Sequence, residues 1–282
     1  VTEPQPAGQP ERPARPVVAF LSDYGLADEF VGVCKAVIAS IAPDATVVDL
    51  AHELPPHEVA AAALTLVRSV QYLPEGALVL AVVDPGVGTE RRLVAVACEQ
   101  ATFFGPDNGL LAPAVAMLGG ARAVHELTSV EHRLPAPGPT FAGRDVLAPA
   151  VAFHAVGVPL AELGPAVDPA GLVPGLVGLP REVDGALEAE VWWVDRFGNC
   201  QLNLGPDELE AMGAGPGGRV EVRVGDQTRV ARWVGTYADA KPSELVVLVD
   251  SYGLLALALD RRSAAAELGL RAGAPVTLVP PS

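Results

Sequence analysis

The sequence predicts an α/β fold in two parts: an N-terminal, mostly parallel α/β domain followed by a small antiparallel β-barrel domain. Three observations lead there. Short apolar runs alternate with helix-spaced stretches over 17–163, Gly and Pro crowd 164–185, and beyond that point the apolar period drops to two.

The elements follow in order. Residues 1–16 are Pro-rich without an apolar stretch, which predicts a flexible tail rather than a signal peptide. Val17 to Leu21 reads as a short buried strand. Glu29 to Ile41 carries helical spacing through Phe30, Val33, Val37 and Ile41. Thr46 to Leu50 is strand-like, and His57 to Val70 is an Ala-rich helix. Ala77 to Val83 is the strongest strand pattern, followed by Leu93 to Cys98 and a helix around Leu110 to Leu118. This rhythm predicts a Rossmann-like sheet with ligands beyond the carboxyl ends of its strands. Residues 164–185 read as a linker. The barrel domain, 186–282, is predicted from Glu188–Val194, Cys200–Leu204, Arg219–Val224, Arg229–Val234, Leu245–Val249 and Pro275–Val279, with a turn at Gly225-Asp226.

Composition narrows the function. Half the residues are apolar, so a sizeable core is expected, yet no run of about 18 apolar residues could span a bilayer. Nineteen basic against 34 acidic residues give a net charge of −15, which argues against nucleic acid or an anionic membrane as partner. Cys34, Cys98 and Cys200 are widely spaced and odd in number, which predicts no disulfide framework and fits a reducing, cytoplasmic setting. Neither CxxC nor HExxH spacing occurs, so no metal is expected, and no GxSxG elbow supports a serine hydrolase.

Five motifs gather Gly, Asp and Asn just after strand-like runs. Ser22-Asp23-Tyr24-Gly25, with Asp28 beyond it, offers carboxylates at a strand end that suit ribose hydroxyls or serve as turn and cap residues. Asp84-Pro85-Gly86-Val87-Gly88-Thr89-Glu90-Arg91 is neither a P-loop nor a GxGxxG fingerprint. Its glycines permit close backbone approach, and Asp84 with Arg91 could fold back into an ion pair, functional or structural. Pro106-Asp107-Asn108-Gly109 is a strong turn signal. Thr140-Phe141-Ala142-Gly143-Arg144-Asp145 leads into an apolar helix. The fifth, Asp195-Arg196-Phe197-Gly198-Asn199, follows a strand-like run, as does its analogue near the C-terminus, Asp250-Ser251-Tyr252-Gly253. The five histidines show no converging ligand spacing, and core or surface roles are expected for them.

In this order the motifs resemble the S-adenosyl-L-methionine (SAM) hydroxide adenosyltransferase family, relatives of the SAM-dependent fluorinase and chlorinase, from about Val17 to Val279. Val82-Val83-Asp84-Pro85-Gly86-Val87-Gly88 with Arg91, followed by Pro106-Asp107-Asn108-Gly109, is the most specific part. The resemblance implies hydrolysis of SAM to adenosine and L-methionine without a cofactor, in a homotrimer whose sites lie between the N-terminal domain of one subunit and the barrel of its neighbour. It implies that Asp23 holds the ribose hydroxyls, with Asp28 and Asp195 near the methionine moiety and Ser251 and Tyr252 near its carboxylate. Asn199 would read adenine, Tyr237 would flank that ring, and Phe141 would wall the reaction centre. His57 falls where halogenating relatives place an aromatic wall, implying contact with ribose. An Asp-Arg-His set is proposed to activate water in the family. Asp84 and Arg91 match two members, but where the family reads Thr-Phe-His-Gly-Arg-Asp this chain has Ala142. Alanine cannot hydrogen-bond or relay a proton, so slow turnover is expected. The alternatives are a SAM- or adenosine-binding protein that has lost catalysis, and a SAM-dependent halogenase, against which the Asp84 carboxylate argues by repelling halide.

Overall fold

In a computed structural model of the chain, residues 15–175 and 178–279 are described. Most of the Pro-rich tail, residues 1–14, and residues 176–177 of the expected linker lie outside them. The described chain forms two compact units. The first runs to Ala62 and resumes over Ser69–Pro174, while the second takes Ala63–Arg68 and resumes at Gly175.

The first unit is built on β1 (Val17–Ser22), α1 (Phe30–Ile41), β2 (Thr46–Ala51), the two ends of α2 (Val59–Val70, whose Ala63–Arg68 counts with the second unit), β3 (Ala77–Val82), β4 (Leu93–Ala97), β5 (Ala101–Pro106), α3 (Ala112–Met117), β6 (Ala123–Glu126), α4 (Ala148–Ala155), α5 (Leu160–Leu163) and β7 (Ala166–Val167). The sheet order is β2-β1-β3-β5-β4-β6-β7. Pairings from β2 through β5 are parallel, and those of β4 with β5, β4 with β6 and β6 with β7 are antiparallel. The direction changes because only residues 98–100 join β4 to β5, too short a link for a parallel crossover. β3 is apolar and buried at all six positions, the pattern of a strand covered on both faces. Val31, Cys34 and Ile38 bury one stripe of α1 in a core that also holds Phe20, Leu80, Leu147 and Val151. A π-helical turn, Gly143–Leu147, leads into α4.

The second unit contains β8 (Arg181–Val183), β9 (Ala186–Val194), β10 (Cys200–Leu202), α6 (Pro206–Ala211), β11 (Arg219–Val224), β12 (Gln227–Trp233), β13 (Leu245–Val249), β14 (Leu255–Leu259), α7 (Ala264–Leu268) and β15 (Pro275–Val279). The order β10-β14-β13-β12-β11-β15-β9 closes on itself through β10 with β9, giving a seven-stranded barrel with β8 added outside β9. All pairings are antiparallel except β12 with β13. Alternate residues such as Leu187, Ala189 and Val191, or Val220 and Val222, fill the interior. The stretch 164–185 is not bare connection: β7 pairs with β6 in the first sheet and β8 with β9 in the second. Among the described residues no helix is long and apolar enough to cross a membrane.

Candidate functional site

Parallel pairing sets the site. Ser22 registers with Val82, so β1 and β3 end side by side and deliver Asp23 and Asp84 to the same edge of the sheet. The Asp23 N–H donates to the Val82 carbonyl at 3.3 Å, continuing the ladder by one step. From the neighbouring β5, Asn108 donates its side-chain N–H to the Val83 carbonyl at 2.9 Å, and its own Oδ1 accepts from the Leu110 N–H. The Pro-Asp-Asn-Gly turn therefore braces the strand end that carries Asp84.

Asp84 and Arg91 form the ion pair. The Arg91 Nε lies 3.0 Å from both carboxylate oxygens, and Nη2 lies 2.5 Å from Oδ2. This is a charge-assisted fork on a side chain only 6% exposed, with Arg91 at 16%. The intervening loop folds tightly, with Thr89 Oγ1 donating to the Gly86 carbonyl and Gly88 at φ +81°. A Cβ at Gly86 would stand 3.3 Å from Arg91 Cδ, so glycine there lets the arginine lie across the loop.

Asp23 and Asp84 line a cavity of about 560 Å³ together with His57, Phe141, Ala142 and Arg144. The Asp23 Oδ2 accepts the His57 N–H at 2.9 Å, and His57 holds φ +70°, a left-handed backbone that non-glycine residues seldom adopt. Tyr24 and Phe30, which sequence reasoning did not assign to the site, also line it. With Phe141 they form three edge-to-face pairs with centroids 5.2 to 5.7 Å apart. Burial, and then the charges of Cys34, Asp23 and Asp84, raise the Tyr24 phenol well above its usual range, so it stays a neutral hydroxyl. That hydroxyl packs onto Gly143, where a Cβ would overlap it. Arg144 forks onto Asp145 and stacks 4.8 Å over Phe141.

Ala142 is 8% exposed and stands in a partition. It lines this cavity and also a second one of about 480 Å³, which Arg91 and Asp145 line from the other side. Asp28 is exposed in the bend before α1 and lies outside the residues that line the cavity.

The remaining residues singled out in the sequence belong to the second unit. Asp195 organises the turn after β9, its Oδ1 accepting from the Phe197 and Asn199 N–H groups and its Oδ2 from the Asn199 amide. Asp250 does the same after β13, taking the Tyr252 and Leu254 N–H groups on Oδ1 and the Gln201 amide on Oδ2. Ser251 and Tyr252 are exposed on that turn. Tyr237 is about half exposed, and burial followed by the charges of Asp195 and Asp250 raises its phenol. Buried Gln201, unassigned from the sequence, is thus the brace of the Asp250 turn. His125 bonds to the Gly164 carbonyl, 39 residues on, while His132 and His154 make local hydrogen bonds to Ser129 and Val158. Among the described residues no group of three or more His, Cys, Asp or Glu side chains is arranged to hold a metal ion.

Comparison with known proteins covers both units. Residues 18–164 match the SAM hydroxide adenosyltransferase N-terminal domain, and residues 189–277 match the C-terminal domain of the same name. The (R)-S-adenosyl-L-methionine hydrolase of Salinispora tropica is 45% identical over 92% of this chain and 95% of its own length. That of Thermus thermophilus is 46% identical over 94% of this chain and its entire length. A crystal structure of an uncharacterized conserved protein from Thermotoga maritima superposes with a TM-score of 0.86 at 31% identity, covering 93% of this chain and 99% of that one.

Proposed function

The chain belongs to the SAM hydroxide adenosyltransferase family, and on that premise we propose that it hydrolyses SAM to adenosine and L-methionine, slowly, through attack of water at C5′. The observation that carries this reading is the nearly buried Asp84 carboxylate, forked by Arg91 in the wall of a cavity that Asp23 also lines.

The chemistry asks little of an acid. A sulfonium leaves as a neutral thioether, so the C5′–S bond breaks without protonation of the leaving group. The difficulty is the nucleophile, since bulk water has a pKa near 15.7 and free hydroxide is scarce. We assign to Asp84 the task of accepting a hydrogen bond from one water and aligning it with the C5′–S axis, with Arg91 fixing the carboxylate's orientation. Oxygen bonds to C5′ as sulfur leaves with the electron pair, and the water's proton passes to solvent. Asp23 suits the ribose hydroxyls, because one of its oxygens is engaged by the His57 N–H and the other remains to accept. His57 flanks the ribose, and Phe141, within the aromatic triad, walls the reaction centre.

For the rest of the substrate we assign Asn199 and Tyr237 to adenine, and Asp28, Asp195, Ser251 and Tyr252 to the methionine moiety. We further infer a homotrimer in which the barrel of one subunit completes the cavity of its neighbour; the mass of the particle by light scattering tests this. No group beyond the substrate and water is needed for the reaction as written. Ala142 supplies neither donor nor acceptor, which removes the general acid–base help usually contributing about 10²- to 10⁴-fold in rate. A halogenase is disfavoured because Asp84 would repel a halide approaching the same position.

The test is incubation with SAM in ¹⁸O-water, followed by mass spectrometry. Label in the adenosine 5′-hydroxyl with equimolar methionine is expected. Bound but uncleaved SAM would replace hydrolysis with a binding role, and halogenated deoxyadenosine in added chloride or fluoride would overturn the choice of nucleophile.

A further inference from the structure

A second arrangement of chemistry-bearing side chains lies beside Asp23, and it uses residues the reaction above does not. Ser22 Oγ is 2.7 Å from His52 Nδ1, and His52 Nε2 is 3.0 Å from Asp49 Oδ1. Asp49 in turn accepts from Lys35 Nζ at 2.6 Å. Serine, histidine and aspartate in this order have the composition of a hydrolase triad, yet Ser22 is 0% exposed and His52 5%, so no substrate reaches the hydroxyl. The group must act through what it holds.

It holds two loops. Asp49 as a carboxylate is acceptor-only, which assigns the proton of a neutral His52 ring to Nε2 and leaves Nδ1 to accept the Ser22 hydroxyl proton. Asp49 is well suited to this: although burial opposes its charge, hydrogen bonds from Lys35 and His52 keep its pKa below the usual carboxylate value. Ser22 Oγ then receives the Tyr24 N–H at 3.4 Å, and the His52 carbonyl receives the Gly25 N–H at 2.7 Å. Phe20 fixes the ring edge-to-face at 4.7 Å. Five residues further on, the His57 N–H closes onto Asp23 Oδ2. The loop after β1 and the loop after β2 are therefore clasped at three points, and the clasped residues Asp23, Tyr24 and His57 are a wall of the 560 Å³ cavity.

We propose that His52 is a positioning residue, whose bridge from Asp49 to Ser22 sets the Asp23 carboxylate and the His57 backbone for the two hydroxyls of a ribose. The proposal rests on the adenosine-bearing substrate assigned above.

Adenosine serves as the probe, titrated calorimetrically against the full chain, His52→Leu, His52→Asn and Ser22→Ala, with amide hydrogen exchange and thermal melting on each. His52→Leu keeps apolar bulk against Phe20 but loses both bridges; His52→Asn restores an amide near the Nδ1 position toward Ser22. The expected result is faster exchange confined to 22–25 and 52–58 in His52→Leu and Ser22→Ala. Adenosine affinity should weaken about tenfold, as for one displaced hydrogen bond, and His52→Asn should recover most of it. Turnover at saturating SAM should change by less than about threefold, because the reacting atoms are not touched. Retained protection of the two loops, or lost protection with unchanged affinity in a folded variant, overturns the proposal. A wild-type chain that binds no adenosine would bring down the functional reading instead, and exchange at the two loops would still decide whether His52 clasps them.

Discussion

Replacing Ala142 by histidine should speed the proposed hydrolysis of SAM. The position borders open space: Ala142 belongs to the buried core of the first unit, yet it also lines cavities of about 560 and 480 Å³ into which a larger side chain can extend. Asp84 lines the first cavity and Arg91 the second, so an imidazole in the partition enters beside both members of the pair. General acid–base help is worth about 10² to 10⁴ in rate, and the lower end applies. Asp145, a carboxylate lining the second cavity, is already forked by Arg144 and is not free to fix the tautomer of a new ring. A gain of about 10²-fold, or about 2.7 kcal/mol of barrier, is therefore expected. Single-turnover release of adenosine at saturating SAM measures it, with SAM affinity and melting temperature as controls. A folded variant that binds SAM as before but releases adenosine no more than about threefold faster would refute the reasoning, since that gain is far below the acid–base contribution.

Three further outcomes are expected. In the Ala142→His background, Asp84→Asn should slow turnover by at least about 10²-fold while SAM affinity holds. It should also cost about 2 kcal/mol of stability, below the 3–5 of a fully buried pair because Arg91 is 16% exposed; denaturant titration reads the second number. Gly143→Ala should destabilise by about 1–3 kcal/mol because its Cβ overlaps the Tyr24 hydroxyl, and adding Tyr24→Phe should recover much of that in a double-mutant cycle. Burial pushes the Cys34 and Cys200 thiols from the ordinary value of 9.0 up to about 12. The folded chain thus keeps protons that the unfolded chain releases, so stability is intact below about pH 9 and falls as pH rises toward 12. Melting temperature against pH checks this, and the double Cys→Ala variant should flatten the decline.

What the sequence disclosed about the fold follows from how each element is stabilised. β3 was legible because six consecutive buried apolar residues admit few other readings; α1 was legible from the helical spacing of Phe30, Val33, Val37 and Ile41, although the fully buried stripe is the adjoining one of Val31, Cys34 and Ile38. β5 escaped notice since it ends in Gly105-Pro106, punctuation that reads as a turn. In the structure that glycine is required by close packing instead, as a Cβ there would lie 2.6 Å from the Ala81 carbonyl. β14, Leu-Ala-Leu-Ala-Leu, is buried at every position and so lacks the alternation by which its neighbours were recognised. The parallel-to-antiparallel change was hidden for a related reason: it is set by the three-residue link after β4, which is visible only once β5 is recognised as a strand.

The candidate site was legible where polar residues and turn punctuation coincide. Asp23, Asp84 and Arg91 stand in Gly-containing segments at strand ends, and the spacing of Asp84 and Arg91 allowed the ion pair that the structure shows. Tyr24 was in plain view inside the first motif, but nothing local says that its ring meets Phe30 and Phe141, 117 residues away in the second case. The His52 bridge was less visible still. The five histidines drew only a test for metal-ligand spacing, and the partner that matters to His52, Ser22, is 30 residues earlier. The two meet because β1 and β2 are parallel neighbours, which brings the loops that follow them to the same edge of the sheet. A histidine immediately after one parallel strand and a hydroxyl at the end of the next is thus a signal of position, readable only after the strand order is known. The same topology that gathers the Asp23 and Asp84 carboxylates gathers the residues that hold them, so a search for supporting groups in such folds should begin at the strand ends adjoining the site.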